Sequence, residues 1–117
     1  MDTSKTALTI CPDYDYLIID QEGYVYDYQE LDDLCGEDVQ IDGLEEWCKE
    51  IQPVVIEAAM GKTYPMNWKE YHQRGIALAR ELRKVLPKRY ELWYEAPFED
   101  DSGTIPERIH IQKELLT

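Results

Sequence analysis

Bases are nearly missing from the first half of this 117-residue chain: Lys5 and Lys49 stand against sixteen acids in residues 1–60, a balance of −14. Residues 61–117 hold nine acids and ten bases, a balance of +1, so the net charge of −13 is lopsided rather than spread. Concentrated charge of one sign repels itself and generates a directed field that a partner can read. Direct nucleic-acid binding conflicts with it, because phosphate contacts need clustered bases. The bases that do cluster, Arg80, Arg83, Lys84, Lys88 and Arg89, read as the solvated outer face and C-terminal end of a helix, where the helix dipole favours them.

Other absences narrow the class further. No apolar run approaches the ~20 residues of a bilayer span. The N-terminus, MDTSKTALTICPDYD, lacks a basic region followed by a long apolar stretch, so a soluble, cytoplasmic protein is expected. Cys11, Cys35 and Cys48 are odd in number and have no CxxC spacing, which predicts reduced thiols rather than a disulfide framework. His72 and His110 lie far apart with no partner at ligand spacing, and no GxGxxG or GxxxxGK[ST] is present. Asp32, Asp33, Glu37 and Asp38 flank Cys35-Gly36 without the alternating ligands and terminal Glu of a calcium loop. Among twenty-five acids, neighbouring carboxylates arise by composition, so no acid–base pair is assigned. No catalytic residue, metal or cofactor is expected, and the chain reads as a non-enzyme.

What is present outlines one domain over residues 1–117, since 44% hydrophobic content suffices for a core and no linker or repeat interrupts it. Residues 5–11 read as a strand ended by Pro12. Runs 14–19 and 24–28 around Asp20-Gln21-Glu22-Gly23 read as a hairpin. An acidic loop with room for one helical turn follows over 29–42. A helix is predicted from an Asp42 cap with Glu45 as its reciprocal partner, kinked at Pro53 and ended by Gly61. A second helix is predicted from Asn67, with Glu70 completing its capping box, to Pro87. Its buried stripe includes Trp68, Tyr71, His72, Gly75, Ala79 and Leu82, while Arg83 and Lys84 lie outside. Residues 90–95 and Ile105, Ile109 and Ile111 supply the last strands, with Pro106 at an edge. The order β-β-α-α-β-β predicts an α+β fold: an antiparallel sheet of four to five strands covered on one face by two helices.

Nine tyrosines stand against one phenylalanine, and five of them (Tyr14, Tyr16, Tyr24, Tyr26, Tyr28) interleave with acids in the first hairpin. The period of a strand places Tyr24, Tyr26 and Tyr28 on one face, either packed on the helices or presented as large, rigid contact area with polar tips. Carboxylates spread over a rigid face can imitate a phosphate backbone and steer a cationic protein. The expected function is therefore that of a non-catalytic inhibitor of the immunity, antitoxin-like or phage-encoded anti-defence type. Its expected partner is a basic, nucleic-acid-handling protein such as a nuclease. The expected contacts are Asp13, Asp15, Asp27, Glu30, Asp32, Asp33, Glu37 and Asp38, with Tyr24, Tyr26 or Tyr28 as anchors. Two other readings stand beside it: a small enzyme or ligand-binding domain with a pocket lined by Trp47, Trp68, Trp93 and His72, and a homo-oligomer with a self-complementary tyrosine face. No motif places the chain in a named family.

Overall fold

The structure, a computed structural model, describes residues 6–105 and 107–111. Lys5, placed at the start of the first strand, and Pro106 lie outside the described residues. Five strands, β1 (Thr6–Ile10), β2 (Ile18–Asp20), β3 (Val25–Tyr26), β4 (Tyr90–Tyr94) and β5 (Ile109–Ile111), form one sheet in the order β3-β2-β1-β4-β5. Four helices, α1 (Leu31–Cys35), α2 (Leu44–Lys49), α3 (Ile51–Ala59) and α4 (Trp68–Val85), complete an α+β fold. Among the described residues no helix is long and apolar enough to cross a membrane.

The predicted hairpin is the β2–β3 pair. Asp20 builds its turn: the carboxylate accepts the Glu22 and Tyr24 amides, both at 2.9 Å, and Gly23 takes the left-handed φ of +93° that the turn requires. The central pairing differs from the antiparallel expectation. β1 and β4 run parallel, Thr6 opposite Tyr90 and Ile10 opposite Tyr94, while the other pairs are antiparallel. The parallel pair follows from α4, which returns the chain to the starting end of β1 before β4 begins.

Helix boundaries follow local chemistry. The helix predicted over this stretch is divided into α2 and α3, separated only by Glu50, which keeps right-handed helical angles. Pro53 lacks an N–H and crowds the Lys49 carbonyl one turn back, which accounts for the break. At the far end the Gly61 amide bonds the Ala58 carbonyl at 3.0 Å and the Lys62 amide bonds the Glu57 carbonyl at 2.8 Å, a two-bond C-terminal cap around Gly61 at φ +75°. Asp42 does not cap α2 as predicted; Gly43, at φ 85°, occupies the N-cap and no side chain bonds the first turn. Asn67 does cap α4, accepting the Glu70 amide at 3.2 Å, whereas the Glu70 carboxylate turns to Arg74. Arg83 also departs from expectation. It is 8% exposed, and its guanidinium donates to the carbonyls of Leu86, Pro87 and Tyr90, which ties the end of α4 to the start of β4.

Alternation along the strands sends Leu8, Ile10, Ile18, Leu92, Tyr94 and Ile111 toward the helices, where they meet Trp47, Ile51, Tyr71, Ala79 and Leu82. Trp47 stacks on Tyr71 at 4.7 Å between ring centres and donates its indole N–H to the Tyr71 carbonyl at 2.9 Å. Gly75 makes this layer fit: a Cβ there would overlap Trp47 and the Tyr94 hydroxyl. The opposite face carries the row Val25, Ile19, Thr9, Trp93 and His110, with Trp93 stacked on His110 at 4.6 Å and Arg108 4.0 Å above the Trp93 ring.

Candidate functional site

The acids predicted from sequence fall into two places and two kinds of work. Asp27, Glu30, Asp32, Asp33, Glu37 and Asp38 run along a 3-10 turn (Tyr28–Glu30), α1 and the loop after it, starting at the β3 edge of the sheet. Three of them hold backbone. Asp27 and Glu30 form a reciprocal capping box, the Asp27 carboxylate accepting the Tyr28 amide at 2.7 Å and Glu30 accepting the Asp27 amide at 2.9 Å. Asp32 accepts the Val39 amide at 2.9 Å and so closes the loop beyond α1. Asp33, Glu37 and Asp38 are exposed, and among the described residues none of the six pairs with a Lys or Arg.

Asp13 and Asp15 sit elsewhere, in the loop between β1 and β2. Asp13, Glu95 and Glu99 all act on the Cys11 thiol, which burial first and these carboxylates second push up to about 11. Acids from both ends of the chain therefore gather beyond the last residues of β1 and β4. Burial, Asp27 and Glu45 raise Cys48 to about 12, and burial with Glu37 and Asp32 raises Cys35 against an opposing pull from Arg83. All three cysteines are free, and burial first and the neighbouring carboxylates second favour the protonated thiol at each.

The tyrosines separate as well. Tyr24 is 65% exposed, but Tyr26 and Tyr28 are half-buried against the core. They do not form the predicted strand face, because β3 ends at Tyr26, where the Asp27 capping box turns the chain into the 3-10 turn.

A second centre involves residues that were not joined from sequence. His72 on α4 places Nε2 2.6 Å from Asp100 Oδ2 and Nδ1 2.8 Å from the Tyr94 hydroxyl. The His72 and Asp100 side chains are only 2% and 1% exposed. Burial pushes the Asp100 carboxyl up, but hydrogen bonds from Ser102 and His72 together outweigh it and hold the group below its ordinary value. The ionised carboxylate accepts the Nε2–H, and in the neutral ring Nδ1 accepts the tyrosine O–H. Both ring nitrogens are thereby engaged, so the arrangement works as a latch fastening the 97–103 loop to α4. The Asp100 amide also bonds the Pro97 carbonyl at 3.0 Å and the Ser102 amide bonds Asp100 Oδ1 at 2.8 Å, which tightens the loop around the latch. The sequence held one signal for it, a histidine within an apolar helical stripe, which needs a polar partner when buried.

Trp68 stacks on His72 at 5.8 Å and lines a cleft of about 100 Å³ with Val54, Ala58, Tyr64, Glu99 and Asp101. Of the four residues predicted to line a pocket between helices and sheet, Trp47 fills the core at 1% exposed and Trp93 lies on the other side of the sheet, so they share no single cavity. Among the described residues no group of three or more His, Cys, Asp or Glu side chains is placed to hold a metal ion. Compared with protein-family models, curated proteins and solved structures, the chain matches none of them.

Proposed function

We propose that this protein is a non-catalytic inhibitor of the immunity type, which binds a basic, nucleic-acid-handling protein through its acidic N-terminal half. The observation that carries the reading is the −14 balance of residues 1–60, together with exposed carboxylates at Asp33, Glu37 and Asp38 that no Lys or Arg neutralises among the described residues. Unpaired surface carboxylates on backbone held by caps keep their field directed outward and need little reordering on contact, which favours fast, steered association with a cationic surface. Asp27, Glu30 and Asp32 support that surface by fixing its backbone. Tyr24 is the exposed aromatic anchor nearest to it in sequence.

The test is capture of partners at low salt by the parent protein and by the triple variant Asp33→Asn, Glu37→Gln, Asp38→Asn. One basic protein retained by the parent and lost by the variant supports the reading. An affinity for that protein that stays constant between low and physiological salt would remove its electrostatic basis.

A further inference from the structure

We infer that the cleft beside Trp68 is a receptor for a guanidinium group, an arginine side chain of the basic partner. The inference rests on the partner class proposed above but uses other residues. Asp100 points inward to His72, and its two neighbours in sequence, Glu99 and Asp101, both line the cleft. The latch therefore sets two carboxylates at one opening on backbone that is tied down on both sides of Asp100. Glu99 is only partly exposed, and its Oε1 atom is buried without a hydrogen-bond partner among the described residues. A buried carboxylate oxygen left unpaired is costly, and a donor brought in by a ligand would recover that cost.

The remaining lining fits the same ligand. Trp68, backed by His72, and the partly exposed Tyr64 supply aromatic surface, and Val54 and Ala58 supply apolar contact for a methylene stem. A guanidinium is flat, permanently charged and weakly hydrated. It stacks on aromatic rings and offers five donors, so it can engage the Glu99 and Asp101 carboxylates together once Glu99 turns its buried oxygen outward, which a compact ammonium does less well. Lys62 also lines the cleft and opposes the incoming charge; among the described residues it makes no ion pair.

The experiment is an NMR titration of the full chain with Nα-acetyl-arginine amide, following the Trp68 indole N–H, with Nα-acetyl-citrulline amide as the neutral isostere. The expected result is a saturable shift with the arginine compound that the citrulline compound does not produce. Glu99→Gln should weaken that binding by about tenfold, Asp101→Asn should weaken it less, and Lys62→Gln should tighten it. No saturable shift, equal binding of the citrulline compound, or binding unchanged in both Glu99→Gln and Asp101→Asn would overturn the inference. Each variant is first checked for parental amide dispersion, and Asp101→Asn carries the test if Glu99→Gln does not fold. The two readings fail separately. A captured partner that ignores Glu99→Gln but is lost with the Asp33, Glu37 and Asp38 substitutions leaves the proposed function and removes the cleft. Saturable arginine binding with no basic partner captured does the reverse.

Discussion

Carboxylates serve this protein in two opposite settings. On the segment from Asp27 to Asp38 they face water, and those that are engaged bond backbone amides: Asp27 and Glu30 in a capping box, Asp32 across a loop. On the 97–103 loop Asp100 is withdrawn from water and saturated, with His72 on one oxygen and Ser102 on the other. Exposed carboxylates that bond no backbone, such as Asp33, Glu37 and Asp38, keep their charge available to a partner and add little to stability. A buried one adds to stability only through its partners and becomes a liability once a partner is removed. Charge count alone therefore says little about which acids matter to folding.

The contrast can be broken most severely at Asp100. Asp100→Ala leaves the His72 Nε2–H buried without its acceptor and is expected to cost about 3 kcal/mol in denaturant unfolding at neutral pH. The effect should also depend on pH with a defined sign. The folded-state carboxyl lies below the ordinary 3.8, so its contribution is fully present above that value. It is lost as pH falls through the lower folded value, and the stability gap between parent and variant should close there. Gly75→Ala, beneath the same latch, should cost about 2 kcal/mol because its Cβ overlaps Trp47 and the Tyr94 hydroxyl. Thermal unfolding would show this against a helix-propensity gain of about 1 kcal/mol that would raise stability if the site were roomy. In the acidic segment Asp27→Ala removes a cap and should cost about 1 kcal/mol. The triple variant at Asp33, Glu37 and Asp38 should change unfolding free energy by less than about 0.5 kcal/mol while altering partner capture. Equal destabilisation by Asp27→Ala and the triple variant would erase the distinction between supporting and presenting acids.

Much of this framework was legible before the structure. Asn67 and Pro87 bound α4, Pro53 and Gly61 shape the preceding helix, and the Asp20–Gly23 turn joins β2 to β3, because each depends on residues within one turn of chain. What could not be read depended on distant neighbours. Nothing local tells β1 that its second partner is β4, and His72 carries no mark selecting Asp100 among the acids of that loop. The tyrosine strand face is a different failure, since Asp27-x-x-Glu30 is itself a capping signature and announces the end of β3 before Tyr28. Of the proposed site, the exposure of Asp33, Glu37 and Asp38 was foreseeable from composition. The cleft at Trp68 needed the fold, which brings a loop near the C-terminus against the start of α4.

The acidic half and the near-neutral half cannot be separated by cutting the chain. β1, from the first ten residues, lies at the centre of the sheet and is held on one side by β4, from the last third. That central ladder joins strands far apart in sequence, and closing so long a loop slows folding. Until then the apolar edge of β1 has no native partner on that side. The −14 balance of residues 1–60 makes incompletely folded copies repel one another in this interval.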